Sequence, residues 1–368
     1  MFKTIAITGT NGKTTSAFLT KHILNLCGKK VGLVSTLGNY IDDKIVHFRS
    51  IGLEEKLEYF RKNGCDYVIF EAYSRPLSMK MWDNLHFDIG VFTNLTEDHL
   101  DIHKTMKKYA EAKSKLFELC DVSIGNVDDP WFEQIVKGEQ IFTFGISEKA
   151  DLRATNISLN DSNVAFNVGD TFIEYSSLGL YSVYNALTAI AIVKHLGIPP
   201  HEAAKAIKMF KNVKGRLEEV DTKQDFRIFI DYAHSPDAME QVLKAIKPLC
   251  KGRLVVLFGC GGNRDKRKRP LMGTVAAKYS DYVIITSDNP RDENPKMIID
   301  DIIPGIHNTE TTYKIILNRE YAIEHVIKTH LPNDVVVLLG KGHEKSQIIG
   351  KQFRHFDERK IIKEALNE

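Results

Sequence analysis

The sequence predicts an α/β chain in two domains. A mostly parallel sheet with a small antiparallel meander comes first, and a second α/β domain of Rossmann-like architecture follows. Three observations predict this. An apolar run at residues 5–7 meets a Gly9-Thr10-Asn11-Gly12 turn, and Lys13, Thr14 and Thr15 then open a helical segment. Compact apolar runs alternate with helical patterns along most of the chain, the rhythm of a parallel sheet with ligands at the strand C-terminal ends. Residues 152–175 break that rhythm by alternating polar and apolar side chains.

The elements follow in order. Residues 16–26 have helical spacing and stop at Gly28, and residues 31–36 form the next strand. Residues 36–51 are polar and read as a loop that could line a substrate cleft. Residues 66–71 and 89–93 are strands, the first ending on Glu71 and the second running into Asn94-Leu95-Thr96-Glu97-Asp98-His99. A helix is expected around 104–120, then short strands at 122–126 and 141–144. Turn signals at Asn160-Asp161 and Gly169-Asp170 divide the meander. Residues 184–196 and 202–209 are helices, with Pro199-Pro200 suited to a helix start. The domain boundary is placed at Gly215-Arg216, giving domains 1–216 and 217–368. Beyond it, strands are expected at 226–230, 254–258, 282–286, 313–317 and 335–339, with a terminal helix at 358–366. No Gly-x-Gly-x-x-Gly follows the first of these strands, so no dinucleotide site is read.

With 368 residues, 43% of them hydrophobic and 27% charged, the chain has ample core for two or three domains. A net charge of +2 gives no reason to expect nucleic acid or an anionic membrane as partner. Five scattered cysteines with no metal-ligand spacing point to reduced thiols in a cytoplasm. No apolar run approaches membrane-spanning length, and the N-terminus reads as a strand with no room for a signal peptide.

The stretch from Gly9 to Thr15 has the chemistry of a phosphate site. A small-residue loop aims backbone N–H groups at one point, and the helix dipole adds positive charge there. Lys13 would reach a β/γ-phosphate and the Thr14 hydroxyl would ligate Mg²⁺. Glu71 could hold Mg²⁺ with Thr14 or be a solvated strand-end carboxylate. His99, flanked by carboxylates, could be a metal ligand, an orienting base or a salt-bridged surface residue, and on the residues alone the surface reading leads. Lys113 reads as one more helical lysine, and Asn185 as a cap at a helix start. In the second domain three motifs follow strands and gather at one edge. They are Gly259-Cys260-Gly261-Gly262-Asn263-Arg264, Asp288-Asn289-Pro290-Arg291 and Gly340-Lys341-Gly342-His343-Glu344. Their guanidinium groups (Arg264, Arg291), amide (Asn289) and carboxylate (Glu344) suit a zwitterion, whose carboxylate an Arg fork pairs bidentately. Loop salt bridges are the alternative.

Gly9-Thr10-Asn11-Gly12-Lys13-Thr14 resembles the nucleotide loop of the Mur ligases, and the likeness extends from Ile5 to about Leu366. It implies ATP and Mg²⁺ as cofactors, with ATP held by Gly9, Thr10, Asn11, Gly12, Lys13, Thr14 and Thr15. It further implies that His99 helps hold a second Mg²⁺ and that Lys113, in an Ala-Lys pair, is carbamoylated into a Mg²⁺ ligand. Asn185 would contact adenine, Arg216 the nucleotide phosphates and Asp231 the ribose. The three C-terminal motifs look like the MurE branch, which adds the third amino acid of the peptidoglycan stem peptide. Asp-Asn-Pro-Arg is typical of versions selecting meso-diaminopimelate, which implies a diaminopimelate-like donor gripped by Arg264, Asp288, Asn289, Arg291, Gly340 and Glu344.

Departures from the family accompany the likeness. A UDP-sugar-binding domain normally precedes the nucleotide loop, and here the loop starts at residue 9. A Thr-Thr-Pro is expected where Phe48-Arg49-Ser50-Ile51 stand. Val-Ser-Ser-His-Gly-Leu is expected after the glutamate, where Ala72-Tyr73-Ser74-Arg75-Pro76-Leu77 stand, and Met81 sits near the place of the family's acceptor arginine. The expectation is therefore a cytoplasmic ATP-dependent ligase joining an amino acid to a small carboxylate held by Arg49, Tyr73, Ser74 and Arg75. Alternatives are a minimal MurE acting on the UDP-linked dipeptide, with a partner subunit supplying the missing domain, a ligase tailoring a coenzyme or natural product, and a regulatory nucleotide-binding module without catalysis.

Overall fold

A computed structural model describes residues 2–49, 51–307 and 309–367. The chain forms two compact units, Met1–Lys211 and Asn212–Glu368.

The first unit begins with β1 (Lys3–Thr8), α1 (Lys13–Leu26), β2 (Val31–Ser35), β3 (Gly38–Ile41), β4 (Lys44–Val46) and α2 (Leu53–Lys62). It continues with β5 (Tyr67–Glu71), α3 (Ser74–Ser78), β6 (Phe87–Phe92), α4 (Leu100–His103), α5 (Met106–Ser114), β7 (Cys120–Asn126), α6 (Phe132–Ile135) and β8 (Gln140–Gly145). The meander β9 (Leu152–Leu159), β10 (Val164–Val168) and β11 (Thr171–Tyr175) precedes α7 (Leu180–His195) and α8 (Pro200–Met209). The strands form one sheet in the order β11-β10-β9-β8-β7-β6-β1-β5-β2-β3-β4. Its seven-strand centre, from β9 to β2, is parallel, and both ends are antiparallel. β1 lies between β5 and β6, so the loops after these three strands meet at one edge, where the chain switches direction across the sheet. β1 is buried almost throughout, as expected of a strand covered on both faces. An aromatic cluster that includes Phe60, Phe70, Phe87, Phe92, Tyr109 and Phe117 fills the core on one side. α1 packs against α7 and α8.

Two expectations are corrected here. Residues 36–51 are not a plain loop, because β3 and β4 form a hairpin with Tyr40 opposite Ile45. Asp42 turns it at φ 51°, a conformation Asp tolerates, and its Oδ1 accepts from Val31 N–H at 2.9 Å. Ser50 lies outside the described residues. The helix expected around 104–120 is broken. Lys104 adopts φ 68°, Thr105 then caps α5, a 3₁₀ turn occupies Lys115–Leu119, and Cys120 already belongs to β7.

The second unit comprises β12 (Glu218–Val220), β13 (Arg227–Asp231), α9 (Pro236–Ile246), β14 (Leu254–Phe258), α10 (Lys268–Tyr279), β15 (Tyr282–Ile285) and α11 (Pro295–Ile302). Then come β16 (Thr312–Ile315), α12 (Arg319–Lys328), β17 (Val335–Leu339), the hairpin β18 (Ser346–Ile349) and β19 (Gln352–His355), and α13 (Glu358–Leu366). The main sheet runs β12-β13-β17-β14-β15-β16, parallel except for β12. Val-, Leu- and Ile-rich β13, β14 and β17 form its buried centre. The fully buried Arg319 ties α12 to Glu358 at the start of α13 and donates to the Leu339 carbonyl at 2.8 Å. That bond fixes the strand end from which Gly340 departs.

Candidate active site

The loop between β1 and α1 is shaped by close approaches. A Cβ on Gly9 would overlap Thr93 Oγ1, and one on Gly12 (φ 86°) would sit 2.5 Å from Asn185 Oδ1. Asn185 is therefore not a helix cap. It is the sixth residue of α7, buried, with its amide against the loop. The chain after β6 pins the loop from the other side. Thr93 Oγ1 donates to the Asn11 carbonyl at 2.7 Å, and Asn94 Oδ1 accepts from Asn11 N–H at 2.9 Å. Thr10 N–H donates to the Asn94 carbonyl at 2.8 Å, and Asn11 Nδ2 donates to Thr96 Oγ1 at 3.3 Å. Asn94 and Thr96 were read in the sequence only as part of the run into His99, and Thr93 was not singled out; short polar side chains just past a strand were the available signal.

Two lysines converge on this loop. Lys13 Nζ donates to the carbonyls of Gly9 (2.7 Å) and Thr10 (2.8 Å), and Lys113 Nζ donates to Gly9 at 2.8 Å. Lys113 is buried and lies 4.6 Å from the centre of the Tyr109 ring. Burial, reinforced by repulsion from Lys13, holds the Lys113 amine well below the usual lysine range. Tyr109 organises its surroundings. Its hydroxyl meets Thr10 Oγ1 at 3.3 Å, His103 stacks on it at 5.0 Å, and His99 stands edge-on at 6.0 Å. His99 has φ 55° and a half-exposed ring 3.6 Å from Asp98.

Thr14 and Glu71 are brought together. Thr14 Oγ1 donates to Glu71 Oε2 at 3.0 Å, Thr36 N–H donates to Oε1 at 3.1 Å, and Tyr73 OH donates to Oε2 at 3.4 Å. Thr15 lies in the first turn of α1. This buried carboxylate among hydroxyls is a donor set of hard oxygens, which fits Mg²⁺. Among the described residues no cluster of three or more His, Cys, Asp or Glu could hold a metal ion by itself, so a bound Mg²⁺ would lean on substrate oxygens, as that ion commonly does. Beside Glu71, Tyr73 and Arg75 are exposed, whereas Ser74 is buried with its Oγ 2.8 Å from His103 Nε2. Arg49 is exposed.

In the second unit the three strand-end loops do gather. Arg291 Nη1 donates to the Gly262 carbonyl at 2.8 Å, and a Cβ on Gly261 would lie 2.9 Å from that nitrogen and 3.7 Å from Arg264 Cγ. Arg264 and Arg291 thus flank one glycine. Burial, with the neighbouring Arg264, lowers the Arg291 pKa. Asn289 Nδ2 donates to Glu344 Oε2 at 2.8 Å. Glu344 is not waiting for a ligand ammonium alone, because the fully buried Lys341 Nζ already donates to it at 2.9 Å. Asp288 Oδ2 is buried without a hydrogen-bond partner among the described residues, and a Cβ on Gly340 (φ 107°) would lie 2.7 Å from it.

Nearby, Asp231 is buried, with Oδ2 accepting from Leu217 N–H at 2.6 Å and Oδ1 from Ala233 N–H at 2.7 Å. Burial pushes its carboxyl up. The Arg216 guanidinium lies 4.5 Å from the centre of the Tyr232 ring. Gly215 (φ 69°) touches the backbone of Gly342 and His343 so closely that a Cβ would overlap both.

The Mur ligase middle domain matches residues 7–193, and the Mur ligase glutamate ligase domain matches residues 215–342. The chain belongs to the Mur ligase family. It is an ATP-dependent, amide-bond-forming ligase of the MurE type. It is 44% identical to the UDP-N-acetylmuramoyl-L-alanyl-D-glutamate–2,6-diaminopimelate ligase of Caldanaerobacter subterraneus subsp. tengcongensis, over 99% of this chain and 78% of that one. Its identity to a ligase of the same description from Clostridium acetobutylicum is 42%, over 100% and 78%. A solved structure of a ligase so described superposes with a TM-score of 0.69 at 30% identity, covering 100% of this chain and 78% of that one. A pseudomurein peptide ligase type C from Methanothermus fervidus shares the fold, with a TM-score of 0.73 at 20% identity over 92% of this chain and 76% of that one. Among the described residues no helix is long and apolar enough to cross a membrane.

Proposed function

We propose that this ligase joins a diaminopimelate-like amino acid to a substrate carboxylate through an acyl phosphate. The observation that carries the donor reading is the Arg264–Arg291 pair flanking Gly261, with the Asn289–Glu344–Lys341 group and the unpartnered Asp288 oxygen on neighbouring loops. A donor with two zwitterionic ends suits that set. Its distal carboxylate pairs with the arginines, and its ammonium finds Asp288 and the free acceptor capacity of Glu344.

The chemistry proceeds in two displacements. A carboxylate oxygen of the acceptor attacks the γ-phosphorus of ATP, the bond to ADP breaks, and an acyl phosphate forms. The donor's neutral amine then attacks the acyl carbon, phosphate leaves, and the nitrogen gives up a proton. Lys13, with the N–H groups at the start of α1, holds the β/γ-phosphates and their developing charge. By the family resemblance, Asn185 would contact the adenine, Arg216 the phosphates and Asp231 the ribose. Thr14, Glu71, His99 and a carbamoylated Lys113 would hold Mg²⁺, which neutralises phosphate charge when bound. The lowered Lys113 pKa supports carbamoylation, since only a neutral amine adds to CO₂.

For the acceptor, the exposed Arg49, Tyr73 and Arg75, standing where the family has other residues, support a carboxylate smaller than a UDP-linked peptide. The relatives' activity favours a second reading, UDP-MurNAc-L-Ala-D-Glu. ADP release with diaminopimelate and each of a panel of carboxylates, that UDP-linked dipeptide included, decides between them. A kcat/KM of about 10⁴ M⁻¹s⁻¹ or more with the UDP-linked dipeptide would establish the second reading and overturn the first.

A further inference from the structure

The donor loops are braced by an element that carries none of the expected site residues, the β18–β19 hairpin. Gln347, buried on β18, donates from Nε2 to the Asp288 carbonyl at 2.7 Å. Ile348 N–H donates to Asn289 Oδ1 at 2.9 Å, and the Ile348 carbonyl accepts from Arg291 N–H at 3.1 Å. Gly350 N–H, at the hairpin turn, donates to the Arg291 carbonyl at 2.7 Å. Three of the four residues of Asp288-Asn289-Pro290-Arg291 are therefore bonded to one strand and its turn. Arg291 also has φ 51°. That left-handed conformation is disfavoured for a residue with a β-carbon and persists where the surroundings over-determine it. The hairpin bonds its backbone on both sides, and the Gly262 carbonyl holds its Nη1.

We propose that the β18–β19 hairpin, through Gln347, is the positioning element that fixes where the Arg291 guanidinium meets the donor's distal carboxylate. The proposal rests on the diaminopimelate-like donor reading. The backbone bonds of Ile348 and Gly350 form with any side chain present. The Gln347 amide is the side-chain contribution, and it ties β18 to the start of the motif. Without it the buried Asp288 carbonyl loses its partner, and the hairpin that holds the strained Arg291 is tied to the motif at one point fewer. A planar guanidinium grips a carboxylate well only when both N–H vectors are aimed, so a small displacement falls on donor affinity and selectivity.

The test is calorimetric titration, with Mg²⁺ and ADP present, of meso-diaminopimelate and of L-lysine, which lacks the distal carboxylate. Wild type, Gln347→Leu and the isosteric Gln347→Glu are compared, with Phe353→Ser on the exposed face of β19 as control. ADP affinity is measured for each. The expected result is a wild type that prefers diaminopimelate, a preference lowered about tenfold in both Gln347 variants, the scale of one hydrogen bond to a charged group, and unchanged ADP affinity. The Phe353 variant should match wild type. Folded Gln347 variants that keep the full preference would overturn the proposal while leaving the donor reading intact. Parallel loss of ADP and donor binding would overturn it in favour of a general structural role. A wild type that does not prefer diaminopimelate would remove the donor reading and this proposal together.

Discussion

On the proposed reading, the loop after β1 would bind phosphate and the loops of the second unit a zwitterionic amino acid, and the two are built differently. The first is local. Lys13 bonds carbonyls three and four residues away, and the glycines of one short motif set its shape. The second is assembled from a distance, with Asn289 and Glu344 meeting across 55 residues and Arg291 held by a hairpin some sixty residues on. The first holds Lys13 on the backbone carbonyls of Gly9 and Thr10, from which phosphate oxygens could draw it. The second already pairs part of its charge, as Lys341 does with Glu344. A phosphate needs only convergent N–H groups and positive charge, which one turn can supply. A zwitterionic amino acid needs opposite charges at a fixed separation, which takes several strands.

Mutations should expose that difference. Lys13→Ala is expected to cause the largest loss, with ADP release falling by at least about a hundredfold to a thousandfold, as when a transition-state donor is removed, while circular dichroism stays native. Near-normal ADP release from the folded variant would break the assignment of the local site. Lys113→Ala is expected to be inactive as well, but to regain some activity with added short-chain carboxylates that replace the carbamate. Density for a bare ammonium at Lys113 in a nucleotide-bound crystal would contradict this. On the assembled side, Arg291→Lys keeps the charge and loses the fork. It should weaken donor use by about 1–3 kcal/mol with ATP use unaffected, and an equal effect on both substrates would blur the division between the sites.

The smallest effect concerns pH. Burial, with Arg216, Arg359 and Lys341 close by, lowers the His343 pKa to about 4, whereas an unfolded histidine titrates near 6.5. Between those values the unfolded chain binds a proton that the folded chain refuses, so stability should decline as pH falls from about 6.5 toward 4. Thermal melts of His343→Gln should show a shallower decline over that window. An identical slope in wild type and variant would show that other groups set the acid limb.

The contrast also explains what the sequence disclosed. The Gly9–Thr15 turn, Glu71 at the end of β5 and the α/β alternation were readable because each is a local pattern. The β3–β4 and β18–β19 hairpins were not, since their strands are three or four residues long and fall below what alternation can register. The break after His103 was hidden because Lys104 takes its left-handed turn without a glycine to announce it. Tyr109 and Gln347 gave no signal of their own. Their roles come from partners far away in the chain, such as Thr10 for Tyr109 and Asp288 for Gln347. The Arg264, Asn289, Arg291 and Glu344 motifs were visible as text, but the internal pairing of Glu344 with Lys341 was not.

Donor competition tests the central claim most directly. Purified wild-type protein is given ATP, Mg²⁺, a carboxylate that supports turnover, and meso-diaminopimelate, lysine and alanine together. The amide products are then quantified by mass spectrometry. The account predicts that the diaminopimelate adduct dominates, because that donor alone among the three offers a distal carboxylate to Arg264 and Arg291. A predominance of the alanine or lysine adduct would contradict it.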